Sequence, residues 1–245
     1  MEKIDAHCHA GFGVEKTMDP VKLLSIMDKC QTKYAVIVPV DQYIAVYNEE
    51  GNDYIYSLMK AYPDRFGGFA AINPWYLDKG EKMLVKYLEL GFSGLKLHPK
   101  MQGFKIFDKI VFPLIDICSQ YNVPVYIHTG TMVSSEPFQL VELAGEYPEV
   151  NFIMGHSGNT DFWTDVAFSA QAAKNIYFET SHNLSSAIMS LIKNAGEDRV
   201  IFGSNMPRSH LEHEINKVEE LNLSEVSKRK IYFSNIMKLL EGRKK

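Results

Sequence analysis

The 245-residue sequence has only three cysteines, no long apolar run and no large excess of charge of either sign. Cys8, Cys30 and Cys118 form no closely spaced pair and cannot all be bridged, which indicates a reducing compartment. No apolar stretch approaches the roughly 18 residues of a membrane-spanning helix, and the first residues lead into a strand-like segment without the apolar core of a signal peptide. We therefore expect a cytoplasmic protein with no membrane partner.

The charged residues are scattered along the chain and do not gather into one basic or acidic segment. There are 26 basic and 30 acidic residues, a formal net charge of −4, and the only dense basic run lies at residues 242–245. Nucleic-acid-binding domains instead carry an excess of Lys and Arg on one face. The composition therefore argues against a nucleic-acid partner and favours a small-molecule substrate, and it leaves a homodimer open.

What the sequence does contain is a regular alternation of short apolar runs with longer amphipathic stretches. The eight strand-like runs include residues 35–40, 124–128, 176–181 and 199–204. Residues 18–30 are the first helical stretch, with Asp19 as its N-cap and Pro20 in its first turn, and later helical stretches include residues 161–174, 185–195 and 224–240. Successive strands end roughly 30 residues apart, the length of one strand–helix–strand unit. This alternation predicts an α/β fold, a single (β/α)8 TIM barrel over residues 1–245, with an open doubly wound sheet as the alternative.

Histidines mark the ends of the predicted strands. Five of the eight, His7, His9, His98, His128 and His156, lie at or just beyond such an end. In a barrel these ends converge on one face, and the two-residue period of a strand places the imidazoles of His7 and His9 on the same side. A single histidine there is usually structural, but several converging imidazoles are typical of a site for a metal such as zinc.

Two cationic residues are predicted near the same face. Lys96 lies two residues before His98 and so faces the same way, and Arg208 follows the eighth predicted strand. Lys96 and Arg208 could together hold a carboxylate or phosphate of a substrate. If carbamylated, Lys96 could instead bridge two metal ions. The alternative for both residues is an ordinary structural or solvated charge.

An ordered set of motifs resembles the amidohydrolase superfamily, in particular its second large branch of barrel-shaped, metal-dependent hydrolases and decarboxylases. The resemblance covers nearly the whole chain. It is carried by DAHCH at residues 5–9, FGGFAAINPW at 66–75, GLKLHP at 94–99, PVYIHTG at 124–130, MGHSGN at 154–159, VIFGSNMP at 200–207 and NIMKLL at 235–240. The ordered set is far more specific than any single motif.

The resemblance implies that His7, His9 and His128 bind one divalent metal ion, zinc in the first place and manganese as an alternative. It implies a catalytic role for His156 beside the metal. From their positions near the same face, we expect Lys96, His98 and Arg208 to bind the substrate. The resemblance makes the two-metal site on a carbamylated Lys96 the minor interpretation.

One position departs from the family pattern. The aspartate of the eighth strand, which in the family contacts the metal and takes a proton from its bound water, is Asn205 here. An amide oxygen can bind a metal, but an amide cannot accept that proton. We therefore include Asn205 among the catalytic residues and expect His156, or less well Glu179, to act as the base.

The residues and the resemblance together favour a metal-dependent hydrolase, in which a metal-bound water attacks the carbonyl of a small lactone, ester or amide that carries a carboxylate. A non-oxidative decarboxylase of a small aromatic or unsaturated acid is the alternative within the same branch. A barrel without activity that binds a ligand is a further alternative, because of Asn205. A metal-dependent deoxyribonuclease is disfavoured by the mild negative charge and by Lys96.

Overall fold

The computed structural model describes residues 1–158 and 162–242, in which a closed parallel β-barrel is surrounded by helices. The barrel strands in these residues are β1 (Lys3–His9), β2 (Thr32–Val38), β3 (in two pieces, Phe66–Gly68 and Ala70–Ala71), β4 (Leu95–Leu97), β5 (Val125–His128), β6 (Phe152–Gly155), β7 (Ile176–Glu179) and β8 (Val200–Ile201). Each strand pairs in parallel with the next along the chain. The predicted α/β order is confirmed.

The barrel closes between β1 and the residues around β8. Ala6 N donates to Phe202 O at 3.0 Å, and His9 N donates to Met206 O at 2.8 Å. Asn205 N, in return, donates to the His7 carbonyl at 2.8 Å. These bonds distinguish a closed barrel from the open doubly wound sheet. After Ile201 the chain makes single hydrogen bonds to β1 and no regular ladder. The observed β8 is therefore shorter than the strand predicted over residues 199–204.

The helices follow the strands in the predicted order. They are α1 (Pro20–Lys29), α2 (Gln42–Ala45), α3 (Asn48–Ala61), α4 (Asp78–Glu89), α5 (Pro99–Gln102), α6 (Phe112–Tyr121), α7 (Pro137–Glu146), α8 (Trp163–Ala172), α9 (Ser185–Ala195), α10 (Leu211–Glu219), α11 (Glu225–Arg229) and α12 (Asn235–Glu241). Asp19 caps α1 by accepting from the backbone N–H groups of Val21 and Lys22. In the described parts of the chain, no helix is both long and apolar enough to cross a bilayer.

Two helix predictions differ from the structure. The helix predicted over residues 224–240 is interrupted by a π-helical segment, Lys230–Ser234, between α11 and α12. The carbonyl of Ile231 in that segment accepts a hydrogen bond from Phe202 N at 3.0 Å. The π-helical turn is therefore bonded to the residue that follows β8. The helix predicted over residues 161–174 is observed as α8, and its predicted first residue lies outside the described residues.

Alternate residues of the strands pack into two apolar layers. On β5 and β6, Val125 and Phe152 pack with the surrounding helices, whereas Tyr126 and Ile153 belong to a smaller cluster inside the barrel. Cys8 belongs to the outer layer, which leaves the flanking imidazoles for the barrel mouth. The inner cluster closes the barrel beneath the site, so polar side chains at the strand ends rest on a tightly packed floor.

Candidate active site at the barrel mouth

The carboxyl ends of the strands surround a cleft, and the structure brings all eight predicted site residues to it. Two of them lie beneath the cleft: the ring centroid of His7 is 4.9 Å from that of His9, and the ring centroid of His156 is 4.6 Å from that of His128. The other six line it together with Lys16 and Asp41: His9, Lys96, His98, His128, Asn205 and Arg208. The residues therefore converge as expected, and their chemical roles remain predictions.

Three residues that follow β6, β7 and β8 have left-handed backbone conformations. His156, His182 and Asn205 have φ values of 62°, 62° and 54°, a region that residues with a Cβ rarely adopt. They follow β6, β7 and β8, where a regular continuation would carry the chain away from the barrel mouth. Such strain is characteristic of functional sites, and here it accompanies side chains that face one another.

His9 presents a free lone pair to the cleft. Burial lowers its pKa to about 4, so the ring is neutral at neutral pH. Its Nδ1 lies 2.8 Å from the Pro39 carbonyl, which can only accept, so Nδ1 carries the proton and Nε2 carries a lone pair. That Nε2 is 3.0 Å from Asn205 Oδ1, which also carries lone pairs. Turning the Asn205 amide by 180° would place its Nδ2 donor against this lone pair, so the contact by itself does not require a cation.

His7 has the same tautomer for a different reason. The Tyr126 hydroxyl donates to Glu179 Oε2 at 2.8 Å, so its oxygen accepts from His7 Nδ1, which lies 2.9 Å away. The proton is therefore on Nδ1 of His7, and Nε2 carries a lone pair. The nearest polar atom to that lone pair is Lys96 Nζ, at 3.0 Å. Burial and the neighbouring charge of Lys96 lower the pKa of His7, so this ring is neutral too.

A chain of hydrogen bonds also orients His128. Ser181 Oγ donates to Glu179 Oε2 at 2.8 Å and so accepts from His156 Nδ1 at 2.7 Å. The unprotonated Nε2 of His156 then accepts from Nδ1 of His128, 3.0 Å away. The Nε2 lone pair of His128 remains free, whereas both ring nitrogens of His156 are occupied.

His98 differs from the other imidazoles. Its ring stacks on that of His128, with centroids 3.8 Å apart and an interplanar angle of 13°. It caps α5, because its Nδ1 accepts from Met101 N at 3.4 Å, and Gln102 Oε1 accepts from the His98 backbone N–H at 2.7 Å. With Nδ1 as acceptor, the neutral ring carries its proton on Nε2. His98 is thus a hydrogen-bond donor to the cleft and not a fourth metal ligand.

The chemistry of the predicted ligands suits a divalent metal ion. Among the described residues, Nε2 of His9 and Nε2 of His128 have no hydrogen-bond donor, whereas Nε2 of His7 faces Lys96 Nζ at 3.0 Å. The Asn205 oxygen could add an uncharged fourth donor. Imidazole nitrogens of this kind bind zinc and other first-row divalent ions. A second group, His7 with His156 and Glu179, has its ligand atoms within 4.8 Å of one another. Hydrogen bonds already occupy the His156 and Glu179 atoms of that group. In the described residues, His7, His9 and His128 are not a group with ligand atoms that close, so this ligand set stays a prediction.

The two predicted substrate cations have very different surroundings. Lys96 is completely buried, with Nζ 3.8 Å from the centroid of the Tyr126 ring, and burial lowers its pKa well below the ordinary value. Arg208 lies at the edge of the cleft, its side chain 40% exposed, with a guanidinium nitrogen 3.4 Å from Glu15 and 3.8 Å from Asp41. A substrate anion would therefore share Arg208 with two carboxylates.

The structure adds three residues to the site that the sequence interpretation did not include. His182, which was assigned no role, has its Nε2 2.7 Å from Asn205 Nδ2, and Tyr126 and Ser181 link Glu179 to the histidines. Signals for two of them were present: His182 follows the predicted seventh strand directly, and Tyr126 lies two residues before His128 on the same face of β5.

The chain is similar to known proteins in sequence and in fold. A family model described as Amidohydrolase (Amidohydro_2) matches residues 4–242. A curated protein, gamma-resorcylate decarboxylase from Polaromonas sp. strain JS666, is 23% identical in an alignment of 249 positions that covers 78% of this chain and 74% of that protein.

Solved structures have the same fold at low sequence identity. A putative amidohydrolase from Staphylococcus aureus superposes with a TM-score of 0.82 at 16% identity, covering 98% of this chain and all of that one. A dihydroxybenzoic acid decarboxylase from Polaromonas sp. JS666, solved with manganese and the inhibitor 2-nitroresorcinol, gives a TM-score of 0.78 at 17% identity, covering 98% of this chain and 97% of that one. These likenesses confirm the predicted TIM-barrel fold.

Proposed function

The chain belongs to the amidohydrolase family, and from that premise we propose that it is a metal-dependent, non-oxidative decarboxylase of a small hydroxylated aromatic acid. This replaces the hydrolysis of a lactone, ester or amide as the preferred reaction. The proposal takes residues 1–245 as one domain that binds one divalent ion through His7, His9 and His128. Manganese stands beside zinc as a candidate, because the similar decarboxylase structure contains manganese.

The observation that carries the proposal is the surroundings of Asn205. Hydrolysis needs a base that takes a proton from water, and an amide cannot do this. The Asn205 amide also lies 3.0 Å from His9 Nε2 and 2.7 Å from His182 Nε2. His156, the expected replacement base, lies beneath His128 with both ring nitrogens in hydrogen bonds. A reaction that consumes no water fits these residues better.

Decarboxylation needs other things from the protein. The bond between the ring carbon and the carboxylate carbon breaks, carbon dioxide leaves, and a proton takes its place on the ring carbon, so no water is consumed. The bound divalent ion would supply positive charge that binds the oxygens of the acid and withdraws electron density from its ring. The protein must then bind an anion, exclude water and bring a proton to one carbon atom.

The side chains around the cleft can meet these requirements. Arg208 at the edge and the Nε2–H group of His98 can donate to carboxylate or phenolate oxygens. Lys96 Nζ and His98 Nε2 are the two cleft nitrogens that we assign as candidate proton donors. The buried strand ends beneath them keep bulk water away from the reacting carbon. These assignments rest on the hydrogen-bond directions derived above and on the comparisons with decarboxylases.

The test is a product analysis with the manganese- or zinc-loaded protein. A panel of hydroxylated benzoic acids would be incubated in ¹⁸O-labelled water, beside a panel of lactones, esters and amides that carry a carboxylate. We expect release of carbon dioxide with an equal amount of the parent phenol, and no ¹⁸O in the phenol. Turnover confined to the second panel, with ¹⁸O in the acid product, would instead support the hydrolase. Binding of acids without turnover under any metal would support the inactive, ligand-binding barrel.

A further inference from the structure

Glu179 is the common end of the hydrogen bonds that orient two of the three proposed metal ligands. It lies at the end of β7, is completely buried, and accepts from four donors: the backbone N–H groups of His156 and Ser181, the Ser181 hydroxyl and the Tyr126 hydroxyl. Gly203, two residues after β8, faces it, and a Cβ atom there would collide with Glu179 Oε1. The fold thus leaves room for this carboxylate and supplies a donor to each of its oxygens.

The direction of each hydrogen bond follows from the carboxylate. Burial raises the pKa of Glu179, and the hydrogen bonds from His156, Ser181 and Tyr126 lower it by stabilising the ionised form. An ionised carboxylate has no proton to give, so in that form every group that contacts it must donate, and the oxygen of each hydroxyl donor is then free to accept from the next group. One arm runs from Glu179 through Tyr126 to His7. The other runs through Ser181 and His156 to His128. Both arms end by placing a proton on Nδ1 of a histidine and a lone pair on its Nε2.

His9 provides an internal comparison. Its Nδ1 proton is fixed by the Pro39 carbonyl and not by either arm. A loss of Glu179 should therefore leave the tautomer of His9 unchanged, while His7 and His128 would each lose the partner that excludes the other tautomer. A role as a buried structural carboxylate would not discriminate among the three rings in this way.

We propose that Glu179 is a positioning residue that fixes the tautomers of His7 and His128, and through them prepares the site for a divalent ion. The inference rests on the proposed function only for the location of the metal site and not for the reaction. It assigns Tyr126, Ser181 and His156 as the transmitting groups, and it replaces the expectation that Glu179 is a weaker candidate for the base.

The experiment uses the metal-free protein labelled with ¹⁵N-histidine, because two-bond ¹H–¹⁵N NMR correlations identify the tautomer of each ring. In the wild-type protein we expect the Nδ1–H tautomer for His7, His9 and His128. Tyr126→Phe should allow the other tautomer of His7 alone. Ser181→Ala should allow the other tautomers of the hydrogen-bonded rings of His156 and His128. Glu179→Gln should allow the other tautomers of both His7 and His128 and leave the tautomer of His9 unchanged.

Manganese affinity, measured by competition with a chelator, is the second readout. Loss of a partner that orients a metal-bound histidine typically weakens binding about 10- to 100-fold, and we expect that for Tyr126→Phe and Ser181→Ala. Tyr177→Phe, which removes a hydroxyl from a neighbouring buried tyrosine of β7, and Ser169→Ala, in α8, are matched controls that should stay within about twofold. Thermal unfolding verifies that each variant is folded. If Glu179→Gln does not fold, Tyr126→Phe and Ser181→Ala, which each remove one oxygen atom, still test the inference.

Two results would overturn the inference: Nε2–H tautomers of His7 and His128 in the wild-type protein, or unchanged tautomers and manganese affinity in both arm variants. The variants could show the expected tautomer changes although the wild-type protein releases no carbon dioxide from any acid. That result would support the inference about Glu179. In that case the proposed reaction alone would be wrong.

Discussion

The residues beneath the cleft and the residues at its edge differ in how many of their polar groups already have hydrogen-bond partners within the protein. Beneath it, His7, Tyr126, Glu179 and His156 are completely or almost completely buried, and their mutual hydrogen bonds fix the protons of His7, Tyr126 and His156. At the edge, Arg208 is 40% exposed and is held by ion pairs longer than 3 Å. We therefore expect the buried set to determine where a ligand is held and the edge to determine which ligand is preferred.

Electrostatics reinforces this difference. The pKa values of His7, His128 and His156 are lowered, first of all by burial, so these rings are neutral lone-pair donors and not cations. The ion pairs of Arg208 are partly exposed, and solvent screens them. Changes beneath the cleft should consequently have large effects on metal content, whereas changes at the edge should have smaller effects on substrate affinity.

The largest effect is expected from removing a ligand. His7→Ala should reduce the bound metal well below one ion per chain and lower activity by more than about 100-fold, since loss of an orienting partner alone costs about 10- to 100-fold. Metal analysis of the purified protein and steady-state kinetics measure both. His213→Ala, on the exposed face of α10, is the matched control. Full metal content in His7→Ala would refute the proposed ligand set.

A smaller, opposite effect on the metal is expected at Asn205. Asn205→Asp adds a negative charge beside His9 and should raise metal affinity about tenfold, because attraction at about 4 Å is worth roughly 1–4 kcal/mol in water or near a protein surface. The same charge should raise KM for an anionic acid severalfold. Chelator competition and kinetics with the best acid measure these changes. New hydrolysis of lactones or esters in this variant would instead favour the hydrolase.

At the edge, Arg208→Ala should raise KM for the acid about tenfold with a smaller change in kcat. This corresponds to the loss of one charge-assisted hydrogen bond, about 1.5–3 kcal/mol before screening and competition from Glu15 and Asp41 reduce it. Arg65→Ala removes an arginine that pairs with Asp28, and it serves as the control. A fall in kcat with unchanged KM would contradict a role in binding.

The smallest effect is expected when a competitor of the substrate is removed. Glu15→Gln leaves Arg208 paired with Asp41 alone, and exposed ion pairs are worth about 0–1 kcal/mol. KM for the acid should therefore fall by about twofold, and the difference from the wild-type protein should shrink at high salt. An increase in KM at low salt would show that Glu15 assists binding and does not compete with the substrate.

The sequence predicted much of the fold and the location of the site. The period of apolar residues and the cap at Asp19 are local signals, so the strand order and the bounds of α1 and α9 agree with the prediction to within a few residues. The convergence of His7, His98, His128 and His156 followed from their place at strand ends. The break in the last helix was not predicted, because the bond between Phe202 and Ile231 joins distant parts of the chain.

The sequence by itself determined which residues could reach the barrel mouth, because side-chain direction alternates along a strand and parallel strands end on one face. Only the tertiary structure decided the proton positions that distinguish a metal ligand from a relay. His7 meets Tyr126 across 119 positions of sequence, and His9 meets Asn205 across 196. A tautomer is set by the atom opposite each ring nitrogen, and only folding determines that atom.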